Sequence, residues 1–209
     1  MSIQEYYSQD GQDKFVMESY FPYRSEGTFV DIGANDGITY SNTYAFELQG
    51  WTGYCIEPLK SAFTKLVKNR PRSKCINALI SDKAGKSEFL SIEGYCEMLS
   101  GEVKKYDPQH LERINNEILQ YGGNKEVVKI NAYRFDDLIK DEIIDFLSID
   151  VEGGELDIIK DIDFSRHFIK VICIENNYHD ISMISLIQSF GYRFVGSFGM
   201  DNIFRHVKI

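Results

Sequence analysis

Short apolar runs alternate with amphipathic helical stretches along most of the chain, and that alternation constrains the fold more than any other feature. "TFVDIGAN", "GYCIEP" and "KCINALIS" read as three strands, with "YSNTYAFELQG" and "SAFTKLVKNRP" as the helices between them. Ser41 is placed to cap the first of these helices, Gly50 to end it, and Pro71 to stop the second. "DFLSIDVEGGELDIIKDI" follows as strand, turn and helix, then "KVICIEN" as a strand and "ISMISLIQSFG" as a helix. The chain closes on "YRFVGSF" and "NIFRHVKI", a hairpin across Gly199-Met200-Asp201. Apolar strands separated by helices predict an α/β fold with a mainly parallel sheet covered on both faces, to which the hairpin adds an antiparallel strand. No linker, repeat or low-complexity tract interrupts the 209 residues, so residues 1–209 are expected to form one domain.

The stretch from Asp82 to Asp141 departs from the alternation. "KSEFLSIEG" and "EVVKINAYRF" look like extra strands, inserted before the fourth core strand. Between them "DPQHLERINNEILQYGG" carries helix signals: Asp107 as cap, Pro108 at the first helical position and Gly122 past the end, with Leu111, Ile114, Ile118 and Leu119 on one face. This helix either simply packs on the sheet or, lying beside the carboxyl ends of the strands, covers a substrate. Residues 95–126 are therefore the candidate substrate-covering insertion.

Charge excludes some partners. Lys+Arg number 23 against 32 Asp+Glu, a net −9, which offers no general attraction to nucleic acid or to an anionic membrane. "MSIQEYYSQDGQDK" has no basic region followed by an apolar one, and no later run approaches a membrane span, so a cytoplasmic protein is expected. Cys55, Cys75, Cys96 and Cys173 are widely spaced with no C-x-x-C, as reduced and mostly buried thiols would be. The sequence does not set the oligomeric state.

The segment "FVDIGANDGITYSNT" runs from a strand into a turn of the kind that often meets a phosphorylated cofactor. Two features argue against a pyrophosphate: Asp31 and Asp36 flank the approach, and Gly33 and Gly37 do not give the G-x-G-x-x-G spacing. A cofactor bearing a sulfonium and an ammonium suits both carboxylates, and S-adenosylmethionine carries both charges. Glu57, at the end of the second strand, is positioned to accept hydrogen bonds from two ribose hydroxyls. Asp82, after the third strand, is either a partner for the adenine amino group or an ordinary turn aspartate.

Taken together, "SQDGQDKF", "FVDIGANDGITYSNTYAFE", "GWTGYCIEP", "NALISD", "DFLSIDVEGGELDII" and "ICIENN" resemble the FkbM-type S-adenosylmethionine-dependent methyltransferases, from about Ser8 to about Asn177. The resemblance implies a Rossmann-like class I methyltransferase fold and methylation of a hydroxyl oxygen on a sugar, nucleotide-sugar, glycan precursor or secondary metabolite, as in surface-polysaccharide biosynthesis. It also implies cofactor positions at Asp31, Gly33, Asn35, Gly37 and Glu57, with Ser41 and Asn42 near the methionine end. Gln9, Gln12 and Asp13 match the family's first block, or serve as a helix start. A noncatalytic cofactor-binding subunit and a nicotinamide-dependent oxidoreductase are the alternatives.

An alcohol is a poor nucleophile at neutral pH, so methyl transfer to it calls for a base or a metal ion. Asp150 and Glu152 in "SIDVEGGE" fall on one side if the strand persists through Val151, and could act as a base or hold Mg or Mn. Glu155 is better suited to cap the next helix. In "CIENNYHD", Glu175 is a candidate metal ligand or substrate contact and His179 a candidate base, with Asn176 beside them. His110, His167 and His206 show no metal-site spacing. Lys104, Lys105 and Arg134 are the candidate contacts for the diphosphate of a nucleotide-sugar acceptor.

Overall fold

The computed structural model describes residues 5–209. The main sheet has seven strands: β1 (Thr28–Ile32), β2 (Thr52–Ile56), β3 (Lys74–Ile76), β8 (Ile143–Ile149), β9 (Phe168–Glu175), β10 (Tyr192–Phe198) and β11 (Asp201–His206). Their spatial order is β3-β2-β1-β8-β9-β11-β10. The first five run parallel, and β11 inserts antiparallel between β9 and β10. The expected sheet and its closing hairpin are therefore present.

Alternating side chains bury both faces of this sheet, as the strand period of two requires. Val30, Leu147, Ile149, Ile172 and Ile174 pack on one face with residues of α5 (Phe135–Leu138), α6 (Glu155–Asp161) and α7 (Ile181–Ser189). Phe29, Phe146, Val171 and Cys173 pack on the other with α1 (Gln12–Tyr20), α2 (Tyr44–Leu48) and α3 (Lys60–Asn69). Cys55, Cys96 and Cys173 are buried and all four cysteines are free.

The sequence reading of "KCINALIS" as one strand needs correction. The backbone turns at Asn77, whose amide side chain donates to the carbonyls of Glu57 and Pro58. β3 stays in the main sheet, whereas β4 (Leu79–Ile80) joins a second sheet with β5 (Gly85–Glu93), β6 (Gly101–Glu102) and β7 (Asn124–Tyr133), in the order β4-β7-β5-β6. β5 and β7 are the two extra strands foreseen, paired antiparallel from Gly85 opposite Ala132 to Glu93 opposite Asn124. Between them lies α4 (Pro108–Tyr121), with the Asp107 carboxylate accepting from the Gln109 amide 2.8 Å away and Gly122 ending it. Its buried stripe differs from the one expected. His110, Ile114 and Ile118 face the small core of the insertion, while Leu111 is exposed and Leu119 is 84% exposed.

At the sheet's centre the chain moves outward from β1 to β3 and later returns to β8 on β1's other side. That reversal opens a crevice at the carboxyl ends of β1 and β8, where open α/β sheets bind ligands. Gly33 permits it. Its φ is +88°, and a Cβ there would lie 1.6 Å from the Asp150 carbonyl oxygen. Gly33→Ala is expected to destabilise the fold by ~3 kcal/mol or more, because backbone must move as well as strain. Gly11 has a similar φ of +84° but open space around it, so Gly11→Ala should cost only ~1 kcal/mol. Chemical denaturation of the two variants checks the contrast.

Candidate functional site

The turn after β1 is built around a buried arginine. Arg70, at the end of α3, is 1% exposed and lies under the turn. Its guanidinium donates to Glu47 (2.7 Å), Thr43 Oγ1 (3.0 Å) and the Gly37 carbonyl (3.1 Å), and stands 3.8 Å from Asp31. Gly37 makes room for it: a Cβ there would come within 2.6 Å of the Arg70 and Leu66 side chains. The glycines of this turn thus serve close packing of protein on protein. Sequence reading stopped at Pro71 and passed over Arg70; the only hint was a cation directly before the proline.

Asp31 is buried at the cleft floor and accepts from Thr43 Oγ1 at 2.5 Å. Burial lifts its pKa, opposed by Arg70 and by the Thr43 hydrogen bond. Asp36 faces the cleft but spends its oxygens on the turn, accepting from the amides of Ile38 and Thr39 and from the Thr39 hydroxyl. Burial works to raise its pKa, and these hydrogen bonds win and hold it low. Asn35 takes a left-handed φ of +46°, from which its amide donates to Glu57 at 2.9 Å. Ser41 Oγ accepts from the amides of Thr43 and Tyr44 as α2 begins. Asn42 reaches Ser148 at 3.1 Å and Asp201 at 3.4 Å, and Gln12 donates to the same Asp201 carboxylate at 2.7 Å. Asp13 binds the Tyr7 and Ser8 amides, fixing the segment that carries Gln9 along the cleft.

Two connected spaces result. The larger, about 730 Å³, is lined by the turn, the tip of the closing hairpin, the insertion from Gly94 to Leu99 and α4. The smaller is an apolar slot of about 60 Å³ beside Glu57, walled by Leu59, Ala62, Leu79 and Phe89. Glu57 also accepts from the Leu59 amide at 2.6 Å, yet burial pushes its pKa up to about 7. Asp82 lines neither space, and Lys105 donates to its carboxylate at 2.7 Å; of its two expected roles, adenine partner or turn aspartate, this contact accords with the second.

β8 ends at Ile149, so Asp150 and Glu152 do not extend a strand. They converge all the same, because Glu152 adopts a left-handed φ of +60°. One oxygen each of Asp150, Glu152 and Glu175 lies within 4.8 Å of the others. Asp150 is open to the cleft though protein surrounds it; that enclosure, then the Glu152 charge, raises its pKa well above the carboxylate range. Burial followed by Asp150 does the same for Glu175. Burial and Glu155 push Glu152 up to about 8. Glu155 has the structural role, accepting from the amides of Val151 and Gly153. Asn176 is buried and bonded to Asp180, and His179 lies on the exposed loop beyond, lining neither space.

A second residue missed by sequence reading is His110. Its Nε2 lies 3.3 Å from Glu152 Oε2, from across the insertion. The expected diphosphate contacts are corrected: Lys104 pairs with Glu102, Lys105 with Asp82 and Asp157, and Arg134 with Asp161, and none lines the cleft.

A family model described as the methyltransferase FkbM domain matches residues 31–194. The chain belongs to the FkbM methyltransferase family. It is thus an S-adenosylmethionine-dependent methyltransferase, and its strand order defines a Rossmann-like class I methyltransferase fold. No curated protein sequence matches it. Among solved structures it is similar to a TehB-like SAM-dependent methyltransferase from Corynebacterium glutamicum, at 7% identity and a TM-score of 0.49, covering 95% of this chain and 89% of that one. A ribosomal protein L11 methylase from Lactobacillus delbrueckii subsp. bulgaricus gives 11% identity and a TM-score of 0.49, over 93% and 77%. No helix among the described residues of this FkbM protein is long and apolar enough to cross a membrane.

The crowded carboxylates make stability depend on pH. Glu57 and Glu152 hold a proton more tightly folded than at their ordinary value of 4.5, with midpoints near 7 and 8. Their contribution is therefore complete below pH 4.5 and is lost as pH rises through those midpoints. Thermal melting should show a falling Tm between about pH 5 and 8.5. Glu152→Gln should flatten the fall, and an equal slope in that variant would remove Glu152 as a source.

Proposed function

We propose that this FkbM methyltransferase transfers its methyl group to a hydroxyl of a carbohydrate acceptor, with the carboxylates after β8 and β9 as proton acceptors. The observation that carries the proposal is the convergence of Asp150, Glu152 and Glu175 beside the turn after β1, their affinities for protons raised by burial first and then by neighbouring carboxylates. A carboxyl with a raised pKa is a stronger base once ionised and takes a hydroxyl proton as the oxygen gains its methyl group.

The residues present fit S-adenosylmethionine. The apolar slot suits an adenine ring, Glu57 at the end of β2 can accept from ribose hydroxyls, and the Asp31 side of the turn suits the ammonium, near Ser41 and Asn42. When bound, the cofactor supplies a methyl group on a positively charged sulfur. Asp150, which lines both spaces, is assigned as the first proton acceptor, with Glu152 and Glu175 sharing the charge.

Residues 95–126 are assigned as the element covering the acceptor. Tyr95, exposed at the cleft, packs against Tyr121 with ring centroids 4.6 Å apart and ring planes tilted by 36°, an aromatic surface for a sugar ring. Arg113 is the single cationic side chain among the lining residues and is held by Glu117 at 2.7 Å, facing a majority of carboxylates. That balance favours a glycan or glycoside hydroxyl over a diphosphate-bearing nucleotide-sugar. A divalent cation is not part of the proposal, because Glu152 turns one oxygen to His110 and a shared proton offsets the crowded charge.

Two measurements test this. Ribose hydroxyls favour ionised Glu57, so calorimetry should find S-adenosylmethionine affinity about tenfold higher at pH 8 than at pH 6, a dependence lost in Glu57→Gln. Flat affinity would take Glu57 off the ribose. In a screen of glycosides, glycans and nucleotide-sugars, S-adenosylhomocysteine release should accompany a neutral glycoside. Asp150→Asn should lower kcat ~100-fold or more with cofactor affinity nearly unchanged, and chelator should leave turnover intact. A normal rate in Asp150→Asn removes it as the base; loss on chelation restored by Mg or Mn assigns the carboxylates to a cation instead.

A further inference from the structure

We propose that His110, carried on the inserted segment, is a positioning residue that fixes the Glu152 carboxylate, so that the insertion completes the proton-accepting group of the main sheet. The inference rests on the reading of the carboxylate cluster given above.

The first argument is burial. His110 is 5% exposed and occupies the buried stripe of α4 one turn before Ile114, where an apolar side chain would pack without desolvating a ring nitrogen. Its ring stacks on Tyr106 with centroids 5.2 Å apart, which fixes the ring's direction. The second is the absence of any competing partner. His110 Nε2 and Glu152 Oε2 are both shut off from water, lie 3.3 Å apart, and neither makes a hydrogen bond elsewhere among the described residues. With its proton on Nε2 the imidazole has that one oxygen to donate to, and the contact tightens into a hydrogen bond with a small rotation.

The third argument is the backbone. A left-handed φ costs a side-chain-bearing residue of the order of 1 kcal/mol or more, and Glu152 adopts it with Gly153 next in line. That conformation turns Glu152 toward α4. The loop is held there from above: a Cβ on Gly153 would meet the Lys105 carbonyl at 2.7 Å, and the Lys105 ammonium pairs with Asp82 and with Asp157 of α6. Insertion and loop are therefore clasped on both sides of the His110–Glu152 contact.

The groups facing Glu152 explain what a donor contributes. Asp150 and Glu155 lie on its own loop and α6, Glu175 on β9, Tyr178 on the loop after it, Tyr106 before α4, and Arg113 and Glu117 on α4. Carboxylates outnumber cations. A donor on Oε2 steadies the ionised form.

The experiment uses the full chain with carboxyl-labelled glutamate and carbon NMR, Glu152 being assigned by its loss in Glu152→Gln. His110→Leu keeps the apolar packing on Tyr106 and removes the donor; His110→Gln restores a donor near Nε2. The expected result is a Glu152 midpoint about one pH unit higher in His110→Leu and returned toward wild type in His110→Gln. Turnover on an identified acceptor should fall about tenfold in His110→Leu, with the cofactor KM unchanged. An unmoved midpoint in His110→Leu, or a Tm loss with the midpoint unmoved, overturns the proposal, as does a His110→Gln variant indistinguishable from His110→Leu. The NMR readout needs no acceptor, so failure of wild type to methylate any hydroxyl would sink the functional reading and leave the His110 result standing on its own.

Discussion

The Arg70 guanidinium, buried beneath the turn after β1, is the interaction on which the site depends. An unpaired charge at 1% exposure would be untenable, and Arg70 is surrounded by acceptors: Glu47, Thr43 Oγ1 and the Gly37 carbonyl, with Asp31 close by. It also lies over the Phe29 ring at 5.1 Å and the Tyr44 ring at 5.6 Å. The planar fork binds α3 to α2 and to the turn at once, which a lysine's single ammonium would not do. Glu47 extends the link by accepting from the Arg72 amide and the Ser73 hydroxyl at the approach to β3. The turn assigned to the cofactor is thereby held from below, with Asp31 at the cleft floor.

The insertion depends on the same sheet in a different way. Its own core of Leu90, Ile92, Leu99, Tyr106 and Ile114 is small, and a second group of Leu59, Ala62, Leu79, Phe89 and Ala132 bonds it to α3 through apolar contact. Leu59, Ala62, Leu79 and Phe89 also wall the slot next to Glu57. One surface thus joins the two sheets and forms the slot assigned to adenine, so cofactor binding and placement of the insertion are coupled through shared side chains.

Much of this was legible in the sequence because it is periodic or local. Strands such as "VICIE" and helix signals such as Asp107, Pro108 and Gly122 act over a few residues, and the structure follows them. What could not be read depends on approach across the fold. Arg70 and Asp31 are 39 positions apart, and nothing in "KNRP" shows that the arginine folds under a turn. His110 was hidden by its own helix: the expected stripe used Leu111 and Leu119, and only the packing of Ile114 and Ile118 shows that the histidine shares their face. The split of "KCINALIS" had a weak local signal in Asn77, whose side chain replaces strand pairing with hydrogen bonds to nearby carbonyls. The convergence of Asp150 and Glu152 was anticipated for the wrong reason, since it arises from a left-handed residue and not from strand alternation.

Backbone strain has a location as well as a cost. Among the described residues, Tyr23, Asn35, Tyr40, Glu152 and His179 are the non-glycine residues with positive φ. All but Tyr23 follow the carboxyl ends of β1, β8 or β9, and Asn35, Tyr40 and Glu152 line the crevice created by the strand reversal. A segment free to relax would leave such conformations, so each must be held by its surroundings. Asn35 is held by its amide on Glu57, His179 by its amide on the Asn176 carbonyl, and Glu152 by Glu155 and the strap at Lys105. The regular sheet carries the stability and its carboxyl edge carries the irregularity. Asp150 and Glu152, which lie past the end of β8, are brought to one point there with Glu175 by irregular backbone and not by strand pairing.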